Sequence, residues 1–462
     1  MNKDELKDYS YFGIHNHTYY SNMRLKDAIT SPKDLADKAL ELGLKGICLT
    51  DHEVLSGHMK LTDYVRNNPQ FKGFKVGLGN EIYLVDKEKL DYCVEHKEKM
   101  MFNHFLLVAK NLHGHELLRK QSSRAWENDF KFRSMERVPT YYNELEELMK
   151  DYKGDVIASS SCLGGALPQL ILEYVNNRTE ETHIAIDKYI NWCIQVFGID
   201  DFYFELQPSH QEDQLIVNEW LIKLSKIYNI KLIVTTDTHY ATKEQKLLHK
   251  TYLQSQNGDR EVDSFYDTTY LFAPEDLLEF FSEELLTEMF INTHEIMDKI
   301  EEYTINHEMI IPKAHIPIFN RLKPNTFGDI SKYPSIQNYM NTDNQSDLYY
   351  IYLIHKGMID KNQPINDETL SRIDVELSEL WAISEHLKQP MSGYFLVMRE
   401  FVDVMWETSL VGVSRGSASC FYTNYLLDIV QINAIKYDLP HWRFLTKDRL
   451  DSMPDKQQCL GY

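Results

Sequence analysis

Cysteine is scarce in this sequence. Its 462 residues hold six, Cys48, Cys93, Cys162, Cys193, Cys420 and Cys459, with no CxxC pair among them. That scatter excludes a disulfide-framed scaffold and predicts reduced thiols in a reducing compartment. Long apolar runs are absent as well. No stretch approaches the ~20 residues needed to cross a bilayer, and the opening MNKDELKDYSYFG lacks the apolar centre of a signal peptide. The expectation is a soluble, cytoplasmic protein with no membrane partner. Positive charge is in deficit too: 49 Lys and Arg against 70 Asp and Glu, a net charge of −21. This argues against a generally basic nucleic-acid binder, although a local basic groove can sit on an acidic protein. Low-complexity linkers and internal repeats are also missing. What remains is a chain 43% hydrophobic and 12% aromatic, enough to exclude disorder and to fill two or three domains.

The first part has a βα rhythm. YFGIHNH reads as a short strand ending in histidines. In SPKDLADKALELG, Ser31 is an N-cap, Pro32 the first helical residue, Asp34 the partner of a capping box and Gly43 a left-handed stop. LKGICLTDH follows as a nearly continuous apolar run, the mark of a buried parallel strand. The pattern recurs in FKVGLGNEIYLV, HFLLVAKN, DVIASSSCLGG, DFYFELQPS and IKLIVTTDTHY. Seven such strands before about residue 240 predict an α/β fold, a βα barrel rather than an open sheet. From about 270 the texture becomes helical, and IPIFNRLKPNTFGDISKYPSIQNYMNTDNQSD reads as a long loop.

Residues able to bind metal recur at the strand ends. His15 and His17 lie two apart, so a period of two puts both imidazoles on one face. Asp51 and His52 close the next strand. Glu81 lies in GNEIY, Cys162 follows VIASSS, and Asp237 and His239 lie in TDTH. A βα barrel gathers its functional groups at these ends. His104 is the exception, since it precedes its apolar run. Any one of these histidines alone would read as a hydrogen-bonded core or surface residue, and H-x-H by itself is weak. Two strand-terminal pairs, H-x-H and D-x-H, with TDH between them favour metal. Imidazole, carboxylate and one thiolate suit zinc, manganese or iron, and so many donors suit two or three divalent ions. Adjacent ions polarise a phosphoryl oxygen and generate hydroxide at neutral pH, which is phosphoester hydrolysis.

HNHTYYSN, LTDHEVLSG, GNEIYLV, NHFLLVAKN, SSSCLGG and TTDTHY, in this order, resemble the successive motifs of the PHP (polymerase and histidinol phosphatase) domain. They are most similar to the version at the start of bacterial DNA polymerase III alpha subunits. The resemblance covers about residues 10–270 and implies a distorted βα barrel of about seven strands. It also implies nine metal ligands, here His15, His17, Asp27, His52, Glu81, His104, Cys162, Asp237 and His239, with His15, Glu81 and Asp237 catalytic through bound metal. Asp27 is spaced further from Ser21 than the family pattern, and Arg24 stands where unshifted spacing would put it. Asp51 reads as a partner orienting His52. Residues 117–142 carry six Lys and Arg against three acids with aromatics interleaved. That suits a single strand of nucleic acid. The alternative is a solvated helical excursion packed by Trp126 and Phe130.

The later stretch from SGYFLVMREF to SMPD resembles the palm of the same polymerases. Arg415, Gly416 and Ser417 in SRGSAS could present backbone N–H groups and charge to phosphate, and the resemblance makes this the turn that contacts the incoming nucleotide. An ordinary helix N-cap is the simpler reading of those three residues alone. The family's D-x-D after M-P-D would fall at 457 and 459, where this sequence has Gln457 and Cys459. Neither replaces a hard oxygen anion for magnesium. From Lys456 the pattern is lost, which suggests a coding interruption, with KQQCLGY translated from an intron, an inserted element or a frameshift. The Cys-Leu-Gly-Tyr ending is alternatively the start of an intein.

The expected organisation is a PHP phosphoesterase domain over 1–270, a largely helical, incomplete polymerase palm over 271–455 and an aberrant tail over 456–462. By the resemblance the chain belongs to DNA replication, acting on a DNA 3′ end or single strand. It would be a metal-dependent phosphoesterase or 3′–5′ proofreading exonuclease, unable to polymerise alone. Magnesium-dependent synthesis would need a companion chain supplying the missing palm, and a clamp or accessory protein could attend it. The alternative is a non-catalytic docking module of a split or interrupted polymerase.

Overall fold

The structure, a computed structural model, describes residues 5–6, 9–132, 135–257, 264–307 and 310–449. The segment 456–462 lies outside the described residues. The chain divides into two compact units, residues 1–306 and 307–462.

Among the described residues nine strands form in the first unit: β1 (Gly46–Leu49), β2 (Lys75–Val85), β3 (Asn103–Ala109), β4 (Phe130–Phe132), β5 (Met135–Arg137), β6 (Thr140–Tyr141), β7 (Val156–Ser159), β8 (Phe202–Leu206) and β9 (Leu232–Val234). The main sheet runs β1-β2-β3-β7-β8-β9, with β6 added to β2, while β4 and β5 form a separate hairpin. Residues 13–17 curl the sheet toward closure. Gly13 bridges Ile47 on one side and Asn16 bridges Thr238 on the other. The N–H of His17 donates to the Thr238 carbonyl (2.8 Å), and the N–H of Thr50 to that of Asn16 (2.9 Å). The expected first strand is thus a pair of bridges, the price of spanning two edges that have already twisted apart.

The strands alternate. Cys48, Leu106, Val108, Ile157, Tyr203 and Ile233 pack into one cluster with Phe12 and Ile14. Their neighbours Ile47, Leu107, Ala158, Phe204 and Leu232 join the larger core shared with the surrounding helices. Each such side chain contributes about 1.5–3 kcal/mol when fully buried. Period two therefore assigns one face of every strand to one cluster and the other face to the helices. The helix Pro32–Glu41 starts as expected: Ser31 accepts from the Asp34 N–H, and Gly43 has a φ of +80°.

The boundary between units falls at residue 306 rather than near 270. The helix Glu283–Lys299 belongs to the barrel, because Ile296 and Ile300 complete the cluster around Phe12. Asn292 also donates to the Leu232 carbonyl (2.8 Å).

The second unit is helical, with helices Pro334–Asn341, Gln345–Asp360, Asp367–Leu387 and Ser392–Thr408 around Ile336, Tyr339, Ile354, Leu377 and Phe395. The stretch read as a long loop is therefore helical in part. Pro334 takes the first helical position, and Ile336, Tyr339 and Met340 form a buried face that the polar composition concealed. Glu376, fully buried, accepts from the N–H groups of Tyr422 (2.7 Å) and Thr423 (2.9 Å) and pairs with Arg372 (2.6 Å). This caps the short helix Tyr422–Leu426. Among the described residues no helix is long and apolar enough to cross a membrane. The five described cysteines are unpaired and buried.

Candidate metal centre

All nine expected ligands meet at one end of the barrel. His15 and His17 arrive on the closing segment, His52 follows β1, Glu81 lies within β2, Cys162 follows β7, and Asp237 and His239 follow β9. His104, the exception in the sequence, opens β3. That strand is antiparallel to both β2 and β7, so its first residue lies where the parallel strands end.

Three groups of donor atoms lie within 4.8 Å of one another: His17, His52 and His239; His15, His17 and Asp237; His52, Glu81 and His104. Asp27 joins through Oδ2, 3.1 Å from His52 Nε2 and 3.3 Å from His239 Nε2. Its unusual spacing is absorbed by the turn Tyr19–Met23 and by Asn22, whose Oδ1 receives the Asp27 N–H (2.9 Å). Cys162 Sγ lies 3.4 Å from His104 Nδ1 and 3.8 Å from Glu81 Oε1.

Asp27 Oδ1 is buried without a hydrogen-bond partner, while Glu81 Oε2 and Asp237 Oδ1 are buried among imidazole nitrogens, 2.6 Å from His52 Nδ1 and 3.1 Å from His17 Nε2. Carboxylates buried together need compensating positive charge, so the donor set fits divalent cations. The charge balance agrees. Burial opposes ionisation throughout, yet His104, His52 and His15 hold Glu81 well below the usual carboxylate range, and His52 and His239 do the same for Asp27. Burial likewise opposes a proton on His52, but Asp27 and Glu81 push it up to about 10. His17 is held down to about 3 by burial and by His52. A cluster that keeps its carboxylates ionised and draws protons onto His15, His52 and His239 will exchange those protons for metal ions.

Backbone strain also concentrates here. Glu53, Ser161 and Asp237 have φ values of +52°, +59° and +44°. Each costs of order 1 kcal/mol and persists where the surroundings over-determine it. Two of them flank ligands and the third is one.

Glu205 is a functional residue that the sequence reading missed. It is 1% exposed, and its Oε1 lies 2.6 Å from His15 Nδ1. Ser159 and Thr235 donate to it at 2.5 Å each, and Gln207 at 3.3 Å. This carboxylate fixes which His15 nitrogen faces the site. The available signal was parity: Glu205 stands two residues after Tyr203, on the barrel-cluster face of FYFEL.

Asp51 behaves differently from the expectation. It accepts from Thr18 N (2.6 Å) and Ser21 Oγ (2.8 Å), and Ser21 Oγ in turn contacts His17 Nδ1 (3.1 Å). It braces His17 through a serine and makes no hydrogen bond to the His52 ring. Within residues 117–142, Trp126 Nε1 donates to the Glu53 carbonyl (2.8 Å) and Phe130 packs near Phe102, so both serve the fold. Arg415, Gly416 and Ser417 belong to the second unit, at the start of the 3₁₀ turn Gly416–Cys420. Arg415 is exposed, and Gly416 has a φ of +62°.

The closing segment, the antiparallel third strand and this ring of donors give a barrel of the PHP class with a candidate metal centre. A family model described as PHP domain matches residues 13–209, and one described as bacterial DNA polymerase III alpha NTPase domain matches residues 339–456. The chain is 40% identical over 471 residues to a DNA-directed DNA polymerase of Bacillus phage SPbeta, covering 96% of this chain and 36% of that one. It is 29% identical over 457 residues to the DNA polymerase III subunit alpha of Campylobacter jejuni, covering 96% and 35%. The chain is thus similar to PHP domains over residues 13–209 and to bacterial DNA polymerase III alpha over residues 339–456, and it spans about a third of the length of these relatives. A solved structure described as a metal-dependent phosphoesterase from Bifidobacterium adolescentis aligns with a TM-score of 0.31 and 16% identity, over 50% of this chain and 87% of that one.

Proposed function

We propose that the first unit is a metal-dependent phosphodiesterase acting on DNA, and that its activity is 3′–5′ removal of terminal nucleotides. The observation that supports this most is the convergence of imidazoles and buried carboxylates in one cluster, with donor atoms of several of them within 4.8 Å of one another. His15, His17, Asp27, His52, Glu81, His104, Cys162, Asp237 and His239 would hold two or three zinc, manganese or iron ions. Ions held there would polarise a phosphoryl oxygen and supply hydroxide at neutral pH. The chain's own residues do the positioning. Glu205 orients His15, and Asp51 braces His17 through Ser21. The strained turn at Ser161 presents Cys162. No side-chain nucleophile is required.

The polymerase reading is narrower. Gln457 and Cys459 stand where the resemblance puts the family's paired aspartates, so these two positions do not supply the carboxylates that hold magnesium. Magnesium-dependent synthesis would take its carboxylates from other positions, with Arg415, Gly416 and Ser417 offered to the nucleotide phosphates.

The test uses purified chain loaded with Mn²⁺ or Zn²⁺ and DNA bearing a labelled, single-stranded or mismatched 3′ end. Stepwise shortening that disappears in His15→Ala is expected. No shortening with either metal overturns the proposal.

A further inference from the structure

Beside the metal centre lies a pair of arginines that the ligand set leaves unexplained. The Arg24 guanidinium sits 4.7 Å from the centroid of the Tyr83 ring. That ring meets His104 edge-on at 4.9 Å and lies 5.8 Å from His52. Tyr83 therefore separates Arg24 from the metal ligands by a single ring. Arg137, at the end of β5, sits 4.6 Å from the centroid of Phe102. Phe102 and Tyr83 share one apolar cluster, and burial, with Arg24 adding to it, destabilises the charge of Arg137.

Two guanidinium groups near one another should be ion-paired within the fold, yet the carboxylate that feels Arg24, Glu53, acts on it without an ion pair. Among the described residues neither forms an ion pair, and the Nε of each is buried without a hydrogen-bond partner. The nearby carboxylates are engaged elsewhere. Glu53 accepts from Gln121 (2.7 Å) and from the Tyr83 N–H (3.0 Å), while Asp27 faces His52 and His239. Tyr83 adds a third unsatisfied group: it is 3% exposed and its hydroxyl has no partner. Two like charges, stacked on aromatic faces and held next to a buried hydroxyl, lack an anion. Arginine's planar fork matches a phosphate bidentately.

We infer that Arg24, Arg137 and Tyr83 form a phosphate subsite that holds the backbone of a single DNA strand next to the bond cut at the metal centre. The subsite rests on the DNA reading above and makes the substrate a strand with at least two phosphates, not a mononucleotide. It also gives Arg24 a role at the position where family spacing would have placed a metal ligand.

The test is fluorescence anisotropy of the full chain with fluorescein-labelled dT12 carrying a 3′-terminal phosphorothioate to slow cleavage. Arg24→Gln with Arg137→Gln should weaken binding at least tenfold. It should also flatten the plot of log affinity against log salt by about 1.4, at ~0.7 per phosphate contact on a single strand. In the unaltered chain, the 5′-phosphorylated dinucleotide pdTpdT should displace dT12 at least tenfold better than dTMP. Equal competition by the two, or unchanged affinity and slope in the double variant, overturns the subsite. If the variant loses binding while the unaltered chain hydrolyses nothing, the subsite stands and the phosphodiesterase reading falls. If the chain hydrolyses DNA and the variant binds it unchanged, the subsite alone falls.

Discussion

The sequence contains H-x-H twice, and the two copies have opposite fates. His15-Asn16-His17 lies on extended chain, and both rings enter one buried cluster, with Nε2 atoms 3.1 Å apart. His113-Gly114-His115 opens the helix Leu112–Glu127, where a period of 3.6 sends the rings apart. His113 is half exposed against Asp155, whereas His115 is buried against His58 at 3.0 Å. Surroundings finish the distinction. Carboxylates surround the first pair, and Asp237, Glu205 and Glu81 push His15 well above its ordinary value against the opposing effect of burial. His58 and His115 face no carboxylate partner, and burial dominates them. It holds His58 near 3, with His115 adding to the effect, and His115 near 4, with Arg119 adding to it. Buried histidine is therefore not in itself a metal signal. Extended backbone together with shared carboxylates is.

The comparison can be broken from either side, and the largest effect belongs to the strand copy. Glu205→Gln keeps the shape of the side chain that orients His15 but removes its charge. Metal affinity should fall about 10–100-fold, the usual cost of losing such a support. Equilibrium dialysis would read it, and unaltered affinity would show that Glu205 is only a core filler.

The middle residues also differ. A Cβ on Gly114 would stand 2.0 Å from the Asp155 carbonyl oxygen, so Gly114→Ala should destabilise the fold by about 1–3 kcal/mol in urea unfolding. Asn16, by contrast, donates to the carbonyls of Gly13 (3.0 Å) and Cys48 (2.9 Å) and ties down the closing segment. A neutral Gly114→Ala would mean that the helix start can shift freely.

The pair His58 and His115 predicts acid lability. Their folded pKa values, about 3 and about 4, lie below the ordinary 6.5, so below that pH the unfolded chain binds more protons. Stability from this pair is whole above pH 6.5 and drains as pH falls toward 4, by at most about 1.4 kcal/mol per pH unit for each histidine. His115→Gln should shallow the dependence of unfolding free energy on pH by about one proton between pH 6 and 4. An unchanged slope removes His115 from the account. The smallest effect belongs to His113: its exposed contact with Asp155 contributes about 0–1 kcal/mol, so His113→Ala should leave stability within that range and metal content untouched.

Much of this centre was legible in the sequence because strand ends, H-x-H, TDH and D-x-H are local patterns. What escaped was non-local. His104 made sense only once β3 was seen to run antiparallel. Glu205 looked like part of an apolar run until Ser159, Thr235 and His15 surrounded it. Asp51 was paired with its sequence neighbour His52, whereas its hydrogen bonds go back to Thr18 and Ser21. The closing segment was visible as a strand, but its role of joining β1 to the chain after β9 depends on sheet curvature, which no window of sequence contains. The helix Glu283–Lys299 carries a similar lesson: only packing shows that Ile296 and Ile300 join the cluster around Phe12.

The central claim is that the strand copy and its carboxylates hold metal. Elemental analysis by mass spectrometry of the full chain, loaded with Mn²⁺ or Zn²⁺ and desalted, tests it most directly when run beside Glu81→Gln and His113→Ala. Two or three ions per chain in the unaltered protein and in His113→Ala, with clear loss in Glu81→Gln, is the predicted result. Less than one ion per unaltered chain, or equal content in all three proteins, would contradict it.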